Sequence, residues 1–174
     1  MGPAQLLVLQ YHSGDNYATK ATEARIAEYG NRGFPTIFFN GASPLIGAGS
    51  ESSAYTAQTA AINKELAKAP QVAIAGTMST SSGIKVNVSI GNTGSAAISG
   101  AQLRVVLYED IGTGEHHYAV RDILTPLVIG ALAPGDGRQF TATSAYSGST
   151  AKLNAVIFIE ASNGDILQAA LAAK

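Results

Sequence analysis

Hydrophobic periodicity changes once along this chain, at Ala69-Pro70, and the change divides it into two parts that follow different folding rules. From Gln71 onward the period is two. Ile84, Val86, Val88 and Ile90 alternate with Lys85, Asn87, Ser89 and Gly91, which places successive side chains on opposite faces of a half-buried antiparallel strand. Leu103, Val105 and Leu107 repeat the pattern, as do Leu153, Ala155, Ile157 and Ile159. Weaker strand signals cover 72–76, 118–123, 139–144 and 166–170. Turn clusters separate them: Ser81-Ser82-Gly83, Asn92-Thr93-Gly94, Pro134-Gly135-Asp136-Gly137 and Asn163-Gly164-Asp165. Seven short strands in about 100 residues predict an immunoglobulin-like β-sandwich. The sequence has no cysteine and no tryptophan, so the expectation is the broader fibronectin-like class rather than the antibody type.

The first part alternates strand and helix signals. Leu6-Leu7-Val8-Leu9-Gln10-Tyr11 is a continuous apolar run, the pattern of a strand covered on both faces. Ser13-Gly14-Asp15-Asn16 is loop chemistry. Thr22 to Tyr29 reads as a helix with Gly30 just past its end, where a left-handed conformation is cheap for glycine. The stretch Gly33-Phe34-Pro35-Thr36 then enters the apolar run Ile37-Phe38-Phe39, which an Asn40-Gly41 turn closes before a short strand at Pro44–Gly47. A proline at a strand entrance fixes φ and raises the chance of a cis peptide, which is expected at Phe34–Pro35. Ser52 to Lys68 reads as a second helix, with Tyr55, Ile62 and Leu66 near helical spacing and many alanines between. Ala69-Pro70 ends it. The expected organisation is an α/β domain over residues 1–69 and a β-sandwich domain over residues 70–174.

Composition excludes several classes. Eleven basic and twelve acidic residues give a net charge of −1, so no basic surface is available for nucleic-acid phosphates or an anionic membrane. The longest apolar runs are far too short to cross a bilayer as a helix. The absence of cysteine excludes disulfides, thiolate metal sites and thiol catalysis within these 174 residues. No signal peptide is visible, and Met1-Gly2-Pro3 leads straight into strand-like sequence, which reads as a clipped or engineered boundary.

The segment Tyr29–Gly41 closely resembles the cis-proline strand of the thioredoxin superfamily, in which a Gly-apolar-Pro-Thr loop faces the redox site. Residues 5–68 resemble the later part of that domain, without its first strand and CxxC helix. The resemblance implies that Gly33, Phe34, Pro35 and Thr36 form a peptide-binding loop. It also implies that the missing first strand leaves Leu6–Gln10 and Thr36–Phe39 each short of a ladder partner. Unpaired buried amides cost about 1–3 kcal/mol each. Either Leu6–Gln10 slips beside Thr36–Phe39, or a second copy covers the gap. Tyr11, His12 and Asp15, then Glu23-Ala24-Arg25, the proline strand and a β-sandwich carrying His116-His117-Tyr118-Ala119-Val120-Arg121-Asp122 are together similar to bacterial envelope proteins of the Omp28-related group. That similarity implies an extracytoplasmic location.

Three further constellations bear on chemistry. His12 and Asp15 have the composition of an acid/base pair or metal site at a strand end, against the plainer reading of loop residues capping that end. His116 and His117, with Glu109, Asp110 and Glu115, carry imidazole and carboxylate ligands. Adjacent histidines on a strand point to opposite faces, however, which favours a solvated hairpin. Gly47-Ala48-Gly49-Ser50 lacks the lysine of a phosphate loop. No serine sits in a Gly-x-Ser-x-Gly elbow, and the Asn87-Val88-Ser89 sequon falls in mid-strand.

The fold expected is thus α/β plus all-β: a truncated thioredoxin-like unit followed by an immunoglobulin/fibronectin-like sandwich. The expected function is a non-catalytic extracytoplasmic interaction or scaffold module, a homodimer with a protein or peptide partner. No cofactor, no metal and no catalytic residue are expected. The alternative is a fragment of a thiol–disulfide oxidoreductase whose CxxC lies upstream.

Overall fold

Residues 6–112 and 116–174 are described by the computed structural model of the chain. The first part contains α1 (Lys20–Glu28), β1 (Thr36–Phe39), β2 (Ala42–Ile46) and α2 (Glu51–Leu66). The second contains β3 (Val72–Ser79), β4 (Ile84–Asn92), β5 (Gln102–Glu109), β6 (Ala119–Ile123), β7 (Leu127–Val128), β8 (Gly137–Ser144), β9 (Leu153–Glu160) and β10 (Ile166–Leu171). A mixed α/β part followed by a β-sandwich is therefore the architecture. The seven expected strands of the second part are all present. The two-residue β7, beside Pro126 and too short to show a period, was not legible.

Alternation explains the sandwich. One sheet has the order β3-β4-β8, the other β10-β9-β5-β6 with β7 also pairing with β5. The inward residues of both, among them Val86, Val88, Leu103, Leu107, Ile157 and Ile159, form one buried core, and each such side chain contributes about 1.5–3 kcal/mol on burial. After β10 the chain crosses to the other sheet. There Met78 N–H donates to Ala173 O at 2.7 Å and Ala173 N–H to Gly76 O at 2.9 Å, which laces the two sheets together along one side.

The β10-β9-β5-β6 sheet is apolar on both faces. Its outward residues Val106, Tyr108, Val120, Val156 and Phe158 form a second buried cluster, and Leu7, Leu9 and Tyr11 pack against it. This corrects the expectation for Leu6–Tyr11. The run is not a strand beside Thr36–Phe39. It lies over the sandwich, with Gln10 making a parallel bridge to Ala119. Gln10 N–H donates to Tyr118 O and Val120 N–H to Gln10 O, both at 3.0 Å. The physical reason is that β6 is a sheet edge with unpaired amides, and the adjoining apolar face needs covering. A run with Leu7, Leu9 and Tyr11 satisfies both.

β1 pairs with β2 alone, through Thr36 with Ile46, Ile37 with Leu45 and Phe39 with Ala42. The connecting turn has positive φ at both Asn40 (47°) and Gly41 (78°), as a tight hairpin requires. Its tip rests on the β9–β10 turn, where Ile166 N–H donates to Asn40 O at 2.8 Å. Asn40 Nδ2 also donates to Glu65 Oε2 at 3.0 Å, tethering the end of α2. Ser50 caps the start of α2 by accepting from Ser53 N–H, so the glycine-rich stretch before it serves a helix start. None of the sixteen residues of α2 is buried, contrary to the burial that the spacing of Tyr55, Ile62 and Leu66 predicts.

Candidate functional site

Gly33, Phe34, Pro35 and Thr36 form the entrance to β1, and the Phe34–Pro35 peptide is cis. Three hydrogen bonds to its backbone groups hold the loop. Thr36 Oγ1 donates to Gly33 O at 2.6 Å, Gly47 N–H donates to Pro35 O at 2.8 Å, and Gly33 N–H donates to Asn31 Oδ1 at 3.4 Å. Phe34 projects into solvent at 64% exposure. Beside it lies a hollow of about 360 Å³ bordered by Tyr29, Arg32, Thr36, Phe38, Pro44 and Ile46. Tyr29 stacks on Phe38 with ring centres 4.6 Å apart, forming part of its wall. The lining of the hollow mixes aromatic and aliphatic side chains with Asn31 and the Arg32 guanidinium.

Between α1 and the sandwich lies a buried ionic cluster that the sequence reading did not single out beyond Arg25. Arg25 and Glu160 are 5% and 7% exposed and bond through Nη2 and Oε1. Arg104 Nε donates to Glu160 Oε2 at 2.5 Å, and Arg25 Nη1 to Glu28 Oε2 at 2.7 Å. The Arg25 guanidinium also lies 4.2 Å from the centre of the Tyr29 ring. Two cations and two carboxylates balance. Burial opposes the charge on Arg25, but the hydrogen bonds it donates to Glu160 and Glu28 outweigh it and raise its pKa. Burial above all also raises the pKa of Tyr11 and Tyr29 in this cluster. The signal for it lay in charged residues at the ends of, or within, otherwise apolar strands: Arg104 between Leu103 and Val105, Glu160 after Ile159.

His12 and Asp15 do meet, and the structure adds His116. His12 Nδ1 lies 2.7 Å from Asp15 Oδ2, and this bond above all holds the Asp15 carboxyl below the usual range. Asp15 Oδ1 accepts from the N–H groups of Tyr17 and Ala18, and Glu23 clamps the loop through Ser13 and Gly14. The rings of His12, Tyr17 and His116 form a triangle with centres 5.0–5.3 Å apart. His117 turns elsewhere, 3.4 Å from Asp110. Glu109 is occupied by Arg121, and Glu115 lies outside the described residues. Among the described residues, no three His, Asp or Glu side chains gather as a metal cluster. Asn87 of the sequon accepts from Thr141 Oγ1 across β4 and β8.

No protein-family model matches the chain, and no curated protein matches it in sequence. Among solved structures, HBP35 of Porphyromonas gingivalis superposes over 94% of this chain with a TM-score of 0.65 at 15% identity. The chain spans 62% of that protein's length, and the likeness shows a shared fold. A domain of the outer membrane lipoprotein Omp28 from Porphyromonas gingivalis aligns over 61% of this chain and 89% of its own, with a TM-score of 0.41 at 12% identity. The archaellum periplasmic stator complex FlaF and FlaG from Sulfolobus acidocaldarius aligns over 60% of this chain and 90% of its own, with a TM-score of 0.40 at 16% identity. No helix among the described residues is long and apolar enough to cross a membrane.

Proposed function

We propose that the chain is a non-catalytic, extracytoplasmic interaction module. In this reading residues 1–69 are a truncated thioredoxin-like unit docked on an immunoglobulin/fibronectin-like sandwich of residues 70–174. The unit engages a second copy of the chain, or a protein segment, through Gly33–Thr36, the β1–β2 hairpin and α2. The observation that carries the reading is the exposure of α2. A helix of sixteen residues on a globular domain normally buries one apolar stripe, whereas none of its residues is buried. Tyr55 is 73% exposed, and Phe34 and Ile46 are exposed as well. A stable contact there should bury at least about 1,000 Å² in total, and a two-fold arrangement would bury the same patch twice.

Sedimentation velocity across a range of micromolar concentrations tests this. The expected result is a dimer for the native sequence and a monomer for Tyr55→Asp or Phe34→Asp, both substitutions being at exposed positions. A native chain that stays monomeric, and binds no extended peptide at the Gly33–Thr36 loop, would defeat the proposal.

A second reading, a fragment of a thiol–disulfide oxidoreductase with its CxxC upstream, rests on the resemblance of Tyr29–Gly41 to the cis-proline strand. An in-frame strand-helix stretch carrying Trp-Cys-x-x-Cys immediately 5′ of the Met1 codon would favour it.

A further inference from the structure

We propose that His12 and His116 form a binding site for a divalent transition-metal ion, with Asp15 orienting His12. The inference is independent of the docking role proposed above, since it uses the opposite end of α1. Its first support is an orphaned atom. The His12 side chain is 10% exposed, and its Nε2 is buried without a hydrogen-bond partner. A buried polar atom left unpaired costs about 1–3 kcal/mol, so one that persists needs a reason.

The Asp15 carboxylate supplies the second support. Accepting from Nδ1–H, it selects the tautomer that leaves a lone pair on Nε2, the nitrogen a metal ion would take. Carboxylate–histidine–metal triads use this arrangement. The remaining oxygen of Asp15 is already engaged by Tyr17 and Ala18 N–H groups, so the carboxylate is fixed in place as an orienting group.

The position of His116 is the third support. Two imidazoles bound to one tetrahedral ion at about 2.0–2.1 Å through nitrogen have ring centres roughly 5 Å apart. The His12 and His116 ring centres are 5.3 Å apart, with their planes inclined at 54°. His116 is exposed whereas His12 is not, so the ion would enter past the His116 ring, which must shift to uncover the buried Nε2. Water would complete its coordination. The nearby cation Arg121, 5.3 Å from the Tyr17 ring centre, is paired with Glu109 and adds little opposing field. Imidazole donors with an oriented carboxylate favour ions such as zinc or copper(II) over magnesium or calcium.

Titration calorimetry of the full chain with zinc chloride in a non-chelating buffer tests the site. One ion per chain is expected. His116→Ala should weaken binding at least tenfold, and Asp15→Asn about 10- to 100-fold. His117→Ala should leave binding unchanged. Because His116 and His117 are not in the packed core, neither variant should disturb folding. In a nitrogen-detected imidazole spectrum, zinc should move the His12 Nε2 resonance and leave that of His117 in place. Absence of saturable binding, equal losses in the His116 and His117 variants, or an unmoved His12 Nε2 would each overturn the proposal.

Discussion

The Arg25 guanidinium of α1 is bonded to the Glu160 carboxylate at the end of β9, and both side chains are almost fully withdrawn from water. This contact joins the helical part of the chain to the outer face of the sandwich. Glu160 serves Arg104 as well, so it is the common acceptor of two cations.

The two partners should therefore differ in what their removal costs. Glu160→Gln removes the shared buried carboxylate and leaves both guanidinium groups only the half-exposed Glu28, and should destabilise the fold by about 3–5 kcal/mol. Arg25→Met leaves Glu160 still paired with Arg104, so the loss should be nearer 1–3 kcal/mol. The combined variant Arg25→Met/Arg104→Met/Glu160→Leu should recover much of the loss, since an apolar replacement of a whole buried network is often neutral. Urea unfolding midpoints give the order. Equal losses in the first two variants would show that Arg104 does not share Glu160.

Much of this architecture is legible in residue patterns. Strict alternation at Ile84–Gly91 gave a strand with one buried face, and the structure has it. The placement of Leu6–Tyr11 was not legible, because a short apolar run says that it needs cover but not which surface provides it. The complementary signal was present in Val156-Ile157-Phe158-Ile159 and Val105-Val106-Leu107-Tyr108. Where both alternating sets are apolar, a sheet is buried on both faces. The runs on β5 and β9 thus mark a sheet that needs cover on its outer face, without naming the segment that supplies it. The approach of His12 to His116 left no local trace, since it arises when the Gln10–Ala119 bridge and the apolar cover on β6 bring those distant stretches together.

Gly41 should be intolerant of any side chain. Its φ is +78°, and a Cβ there would lie 2.2 Å from the Gly164 carbonyl oxygen, a backbone atom that cannot swing aside. Gly41→Ala should cost about 1–3 kcal/mol in backbone strain alone and lift the hairpin from the β9–β10 turn. Gly164→Ala carries a comparable φ of +89° but meets nothing within 4 Å, so it should cost less. Amide exchange at Ile166, whose N–H bonds to Asn40 O, should accelerate in the Gly41 variant while the β4 amides stay protected.

Gly76 sets the approach of the two sheets. An added Cβ would fall 2.1 Å from Ile157 Cδ1 and 3.2 Å from Asn87 O. Gly76→Ala should destabilise by about 1–3 kcal/mol through overpacking. Because the nearest atom is the end of a side chain, Gly76→Ala/Ile157→Val should recover part of the loss. Thermal melts of the single and double variants measure the coupling. Additive losses would mean that the backbone, and not Ile157, limits the space.

Alkaline pH should release the amino-terminal part from the sandwich. Tyr11, Tyr29 and Tyr108 all have raised pKa values in the fold, with burial the largest cause in each. For a group whose folded pKa exceeds its unfolded value, the fold binds more protons than the unfolded chain in the window between the two. The stability contribution is then whole below the unfolded pKa, about 10 for tyrosine, and is lost as pH rises through the folded one. Tyr11 lies between the Arg25 cluster and the apolar cover of β5, β6 and β9, so its ionisation places a second negative charge beside Glu160. Stability should be flat from neutral pH to about 9 and fall steeply above 10. The absorbance of tyrosinate should rise in two stages, with the buried rings ionising together with loss of structure. Tyr11→Phe should blunt the fall. A single-stage titration with all seven tyrosines ionising near pH 10, and an unchanged far-ultraviolet dichroism throughout, would show that Tyr11 is not sealed against the sandwich.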